Sequence, residues 1–231
     1  MKVVADSVAV GASAAIEANE KGYMWLDAKT SPAAPGLGFS YDRGASHGGV
    51  GGGWSTPNTY GQRLAPVEPG SPNGCYQGYG DINRGGGLVR IHAAGTIAID
   101  GTVSANAKAT GSFGGGSGGG IWLTAHAFAF GESAAFTARG GSSNYSSNGG
   151  GGRIALGWQL TEAQIAALAE TGAAGLPEGR ELDETAFRER FGNATMTVDV
   201  GSVVTEGKNQ NRPGTFVFLD AKKYRTMLLL K

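Results

Sequence analysis

The sequence predicts an all-β fold, a right-handed parallel β-helix (solenoid), and three observations predict it. Glycine triplets that open an apolar segment recur with a period of about 32 residues, so that Ile91, Leu123 and Leu156 take equivalent positions. Each triplet is followed by the apolar/polar alternation typical of strands. Residues 8–18 match residues 128–138 position for position in this alternation. Short strands repeated at this period are typical of stacked coils, and the crossover rule for parallel strands gives the right hand.

One domain is predicted over residues 1–231, since the chain has the length of a single sizeable unit. Its predicted segments are a first coil (2–19), a Gly/Pro/aromatic loop lobe (20–84), regular coils (85–158), a short helical insertion (159–192) and a last coil (193–220). The lobe holds most of the prolines, which exclude long helices and strands. Its many tyrosines and tryptophans predict that it packs against the strands.

The coil region predicts columns of like residues, because each strand should pair with its counterpart one repeat later. Val89 should lie over Ile121 and Ile154, and Ile91 over Leu123 and Leu156. The glycine-rich runs 111–120 and 140–152 leave the repeat at the same point. They should therefore lie on one face of the molecule.

Residues 159–192 interrupt the repeat with helical signals. Thr161 and Gln164 form a capping box ahead of an apolar segment that should end near Gly172. A second helix over about 184–191 should bury Phe187 and Phe191, which lie four residues apart. Strands are predicted again at 196–200 and 215–219.

The charge balance argues against several classes of partner. Lysine plus arginine and aspartate plus glutamate both number 19, so no overall field attracts nucleic acid or an acidic membrane. No apolar run approaches the roughly 18 residues that cross a membrane. We expect neither a nucleic-acid partner nor a membrane span.

The glycine motifs resemble those of the glycine-rich parallel β-helix regions of large surface and secreted proteins, which are related in outline to pectate-lyase-like solenoids. The motifs are the run 44–52, the glycine triplets before the strands, residues 149–156, and the strand 214–219. The resemblance implies an extracellular or cell-surface setting within a longer, multi-domain chain. It brings no catalytic motif with it.

Three short patterns suggest chemistry. Ser46 satisfies G-x-S-x-G, but the glycines that follow cannot form the helix that a nucleophile elbow needs, so a turn residue is the better interpretation. Asp81 and Asn83 could form a calcium turn, although the spacing of calcium-binding repeats is not met. His92 and His126 could be surface neighbours, with solvated side chains as the simpler interpretation. We expect no cofactor, with calcium as the alternative.

Aromatic side chains are the main candidates for binding, since flat rings stack on sugar faces. The candidate binding residues are Trp122, Arg90, Tyr145, Trp54 and Tyr60. If the protein is instead an enzyme, its catalytic groups should be acidic side chains gathered in a groove, with an arginine. The candidates for that alternative are Asp42, Glu68, Asp81 and Arg84.

The predicted function is a non-catalytic structural or adhesive module of a larger extracellular or cell-surface protein, with a glycan as ligand and neighbouring domains as partners. One alternative is a polysaccharide lyase or glycoside hydrolase. Another is a scaffold that self-assembles end to end, since terminal strands are unpaired sheet edges.

Overall fold

The computed structural model describes most of the chain, namely residues 1–24, 34–38, 43–53, 57–73, 84–110, 114–143, 147–175, 179–192, 194–197 and 213–221. Its elements in chain order are β1 (Lys2–Ala5), β2 (Val8–Val10), β3 (Ala15–Glu17), β4 (Leu88–Ile99), β5 (Thr102–Ser104), β6 (Gly120–Phe130), β7 (Ala135–Thr137), β8 (Arg153–Trp158), α1 (Glu162–Thr171), a 3₁₀ turn (Gly172–Gly175), β9 (Arg180–Leu182), α2 (Glu184–Phe191), β10 (Thr195–Thr197) and β11 (Thr215–Asp220).

The strands form two sheets that face each other across one apolar core. The first sheet has the order β1-β4-β6-β8-β11-β9, with β2 beside the second half of β4. The second sheet has the order β10-β7-β5-β3. All pairings between these named strands are parallel except that of β9 with β11.

The predicted columns of residues are confirmed by the strand register. Val89 pairs with Ile121, which pairs with Ile154, and the column that begins at Ile91 follows the same register. Residues 8–10 pair with 97–99, which pair with 128–130, as the internal match predicts. The inward side chains of the two columns that begin at Val89 and Ile91 are fully buried, because the period-2 pattern places every second residue between the sheets.

Glycine-rich segments close the space beside the sheets without forming strands. The run 114–120 donates backbone hydrogen bonds to 147–152 (Gly115 N to Ser147 O, 2.8 Å, and Gly118 N to Gly150 O, 3.0 Å). Residues 44–52 bond to both runs, as in the 3.0 Å bond from Ala45 N to Gly115 O. We call the hydrogen-bonded segments 44–52, 70–73, 84–87, 114–119, 138–143 and 147–152 the glycine bundle. The described parts of the two long glycine runs thus lie side by side.

The predicted fold class, an all-β right-handed parallel β-helix, is wrong. The described residues form two sheets of mostly parallel strands with one antiparallel pairing and two α-helices, and they show no solenoid or closed β-helix. The architecture is closer to α/β. The repeat is misleading because its strands are connected by glycine-rich segments. The N–H groups of these segments bond to several neighbouring segments, whereas in a third sheet each segment would bond to one partner strand.

Both helices begin and end as the sequence predicts. Thr161 accepts from Gln164 N and the side chain of Gln164 reaches back to Thr161 N, which completes the capping box of α1. Helix α1 lies on the outer face of the first sheet, where Ile165 and Leu168 pack on Trp122. Helix α2 places Phe187 in the core between the sheets. Neither these helices nor any other helix among the described residues is long and apolar enough to cross a membrane.

Candidate functional site

A cluster of polar side chains surrounds Gly61 at the surface of the loop region. A Cβ placed on Gly61 would lie 2.8 Å from Glu68 Oε2, 3.5 Å from His47 Nε2 and 3.7 Å from Arg153 Nε. The backbone of Gly61 has φ +74°, which brings the chain close to these groups at no steric cost. A half-buried carboxylate, a buried imidazole and a buried guanidinium thus surround one exposed glycine, and we call this arrangement the Gly61 corner.

Arg153 connects the Gly61 corner to the first sheet by hydrogen bonds. It begins strand β8, and its side chain is 6 % exposed. Its Nε and Nη2 donate to Tyr60 O at 3.0 and 2.7 Å, and its Nη1 donates to Thr215 Oγ1 at 3.1 Å. Burial lowers the pKa of Arg153, whereas the charge of Glu68 opposes that shift. The residue therefore ties the loop around Tyr60 to two strands of the first sheet.

His47 is fully buried beside Arg153 and is neutral. Its Nδ1 lies 2.9 Å from Gly118 O, and because a carbonyl oxygen only accepts, Nδ1 carries the proton. Its Nε2 has no hydrogen-bond partner. Burial lowers the pKa of His47 to about 4, and the charge of Arg153 adds to the effect. The imidazole thus offers an unprotonated nitrogen toward the Gly61 corner.

The neutral state of His47 predicts an acid-dependent loss of stability. In the unfolded chain His47 binds a proton below its ordinary pKa of 6.5, whereas in the folded chain it stays unprotonated down to about pH 4. The free energy of unfolding should therefore fall by about 2 kcal/mol between about pH 7.5 and pH 5 through this group. Urea unfolding at each pH measures it.

A matched variant isolates this contribution. His47→Asn retains a donor near the position of Nδ1 but does not titrate, so its stability should depend less on pH over the same interval. His92, whose pKa burial also lowers to about 4, contributes with the same sign in both proteins. Equal slopes in the parent protein and in His47→Asn would contradict the assignment.

Ser46 has no catalytic surroundings. It is fully buried, its hydroxyl donates to Pro57 O at 2.7 Å, and the same oxygen accepts from Gly51 N at 3.0 Å. The bond from Gly51 closes the turn of residues 46–51, and the bond to Pro57 ties that turn to the following loop. Beside it, the hydroxyl of Tyr60 accepts from Ser71 Oγ at 2.9 Å and donates to Pro69 O at 2.5 Å, and burial raises its pKa.

The predicted binding platform around Trp122 does not form on an open face. Trp122 is fully buried beneath α1, with Arg90 over its ring at 5.1 Å. His92, predicted to be solvated, is also fully buried, and its ring meets Trp122 edge-on at 5.0 Å. Its Nδ1 lies 2.7 Å from Thr124 Oγ1. Trp122 and His92 pack inside the protein because α1 covers the outer face of β4 and β6, which the strand pattern alone does not reveal.

The other predicted residues are distributed as follows. Glu68 lies at the Gly61 corner and is half-buried, and Arg84 is a half-buried residue at the start of the run 84–87. Trp54, Tyr145, Asp42, Asp81 and Asn83 lie outside the described residues. His126 does not face His92, whose strand partner is Thr124. No group of three or more metal-ligating side chains occurs among the residues that the structure describes.

Sequence reasoning gave His47 no functional role, and it missed the role of Arg153. The available signal for Arg153 was a single arginine placed directly between four glycines and a buried apolar strand. A charge in that position must find buried acceptors, and here they are backbone carbonyls and the hydroxyl of Thr215. The loop that supplies the acceptor for Arg153 could not be inferred, because Tyr60 is distant in sequence and lies in a segment without a repeat.

A second arrangement consists of two isolated backbone bridges, each with one partner in the glycine bundle. Gly38 forms a parallel backbone bridge with Asn73, and Thr110 forms one with Ser143. Asn73 is fully buried and its Oδ1 and Nδ2 have no hydrogen-bond partners. Gly114 lies against it, since a Cβ there would be 2.0 Å from Asn73 Nδ2. We call the positions Gly38, Asn73, Thr110 and Ser143 the bridge end of the bundle.

No protein-family model matches the chain, and comparisons with curated proteins and with solved structures found no similar protein. The resemblance to surface-protein β-helix regions therefore stays a prediction about setting. The function has to be argued from the geometry of the bundle and of the Gly61 corner.

Proposed function

We propose that the protein is a non-catalytic structural and adhesive module of a larger extracellular or cell-surface protein, and that its ligand is a glycan. The observation that carries the proposal is the bridge end of the glycine bundle, where Gly38, Asn73, Thr110 and Ser143 are held in parallel pairs. Chain segments that start from paired positions on a rigid support are suited to presenting a binding surface.

The rigidity of this support follows from the bundle itself. Its backbone N–H groups bond to neighbouring segments, and the segments approach so closely that a side chain at Gly115 would collide with Gly141. A support without side-chain rotamers loses little conformational freedom when a ligand binds.

The sequence supplies suitable residue types shortly after each of the four positions of the bridge end. The four stretches that follow its positions in sequence each contain an aromatic residue, among them Tyr41, Tyr76, Phe113 and Tyr145. Aromatic rings offer flat apolar surface to sugars, and the serines and asparagines nearby offer hydrogen bonds. This composition favours a glycan over a charged partner.

A panel of neutral and acidic polysaccharides tests the proposal. The protein should be retained on at least one polysaccharide, and Tyr145→Ala should weaken that retention by up to about tenfold, since stacking contributes roughly 0.5–1.5 kcal/mol per ring. His126→Ala, which removes an exposed ring beside Leu160, is the control and should bind like the parent protein. Lack of retention on every polysaccharide would contradict the proposed ligand.

A polysaccharide-degrading enzyme is the second candidate, and the Gly61 corner is the observation that favours it. Glu68 and the unprotonated Nε2 of His47 both face the same exposed glycine, which is the kind of pair that acid–base chemistry uses. The samples of the binding assay are therefore also tested for new reducing or unsaturated polysaccharide ends, which cleavage would produce. Cleavage that Glu68→Gln abolishes would replace the adhesive module by an enzyme, and retention without cleavage supports the module.

A further inference from the structure

A short surface segment, residues 57–64, lies over the buried imidazole of His47, and we call this segment the strap. None of its residues is fully buried, and it contains no helix or strand. Directly after it the chain enters the interior at Ala65, which belongs to the apolar cluster beneath α1. The strap is therefore a surface layer with a buried anchor at its later end.

Hydrogen bonds and one ion pair attach the strap to the rest of the protein. Tyr60 N donates to His47 O at 3.1 Å, Arg153 Nη2 donates to Tyr60 O at 2.7 Å, and the rings of Tyr60 and His47 lie 4.6 Å apart. Arg63 forms an ion pair with Glu181 of β9. A surface segment attached in this way opens at a lower free-energy cost than the core strands do.

The strap separates Nε2 of His47 from water. This nitrogen is buried and has no hydrogen-bond partner. Gly61 of the strap lies against it, since a Cβ on Gly61 would be 3.5 Å from Nε2, and Gly61 is itself exposed to solvent. A proton from solvent therefore reaches Nε2 when the strap moves away.

The groups that face His47 determine which state of the strap a proton favours. The glycine bundle contributes the carbonyl of Gly118, which Nδ1 already uses. Strand β8 contributes the cation of Arg153, which repels a proton on Nε2, whereas the carboxylate of Glu68 attracts one. Tyr60 contributes a phenol that stays neutral, because burial raises its pKa. Burial and the charge of Arg153 lower the pKa of His47 to about 4, so the closed strap disfavours the proton.

We propose that the strap is an acid-sensitive latch, which opens as protonated His47 becomes solvated while the two sheets stay folded. Water at the ring restores the ordinary proton affinity, so the open state binds the proton at a higher pH than the closed state does. The open population therefore rises as the pH falls below about 6.5, and the rise ends near pH 4. The latch is independent of the proposed ligand.

Hydrogen exchange of the Tyr60 amide, followed by NMR, tests the proposal, because its acceptor is His47 O. The protection factor, which is corrected for the intrinsic pH dependence of exchange, should fall about twentyfold between pH 7 and pH 5. The Leu123 amide of the central strand β6 reports global unfolding. It should remain at least about a hundredfold better protected than Tyr60 at each pH.

Two variants distinguish proton sensing from a weakened strap. His47→Asn does not titrate, so the protection of Tyr60 should change by less than about twofold over the same interval. Arg63→Gln removes the ion pair with Glu181, and it should lower the protection up to about fivefold at every pH and leave the pH dependence unchanged.

Three results would overturn the proposal. They are a pH-independent Tyr60 amide in the parent protein, equal protection of the Tyr60 and Leu123 amides, and an unchanged pH dependence in His47→Asn. The first two are measured on the parent protein, so the test is decisive even if His47→Asn does not fold.

Discussion

The variant Gly115→Ala is expected to prevent folding. A Cβ at this position would lie 1.8 Å from Gly141 O, 2.6 Å from Gly141 C and 2.7 Å from Gly149 N, all of them backbone atoms. Backbone atoms cannot move aside without breaking the hydrogen bonds of two neighbouring segments. We expect a cost above about 4 kcal/mol, which is a large share of the stability of a domain of this size. Soluble yield and far-ultraviolet circular dichroism measure the outcome.

Two other glycines provide a graded comparison. Gly11 is exposed and a Cβ there meets nothing within 4 Å, so Gly11→Ala should leave stability unchanged or raise it by up to about 1 kcal/mol. At Gly157 the nearest atoms are side-chain carbons of Leu160 and Thr124 at 3.2 Å, so Gly157→Ala should have an intermediate cost. If all three variants melted at similar temperatures, the close packing of the bundle would be refuted.

The strand register was predictable from the sequence, because a buried apolar column repeats at fixed spacing. Val89, Ile121 and Ile154 must face the core together, since a shift by one residue would expose the whole set. The two helices were predictable for a similar local reason, as capping residues and an i, i+4 phenylalanine pair lie within one segment.

The fold class could not be predicted, because it depends on groups that carry no side-chain pattern. The N–H and C=O groups of glycine can bond to any adjacent segment of the chain. A repeated glycine pattern therefore does not indicate whether the glycine-rich segments form a third sheet or a bundle. The candidate site had the same difficulty. Arg153 contacts Tyr60 O, and a backbone acceptor in a distant loop leaves no signal in the sequence.

The position of α1 on the outer face of the first sheet predicts a second large effect. Trp122→Ala should destabilise the protein by about 3–5 kcal/mol, because the indole fills the space between Leu160, Ile165 and Leu168. The loss should be greatest for α1, whose apolar side chains rest on that ring. Urea unfolding measures the total cost, and hydrogen exchange of the helix amides measures the local one.

Arg90→Met is the matched variant, since it keeps the apolar stem over the indole and removes the cation–π contact. Its cost should be about 1 kcal/mol or less, because part of the Arg90 side chain remains exposed to water. The two variants also separate packing from ligand binding. If Trp122 belonged to a glycan-binding platform, Trp122→Ala would abolish retention on the polysaccharide with little effect on stability. The buried position predicts the reverse: stability falls sharply, and under conditions where the variant stays folded it is retained like the parent protein.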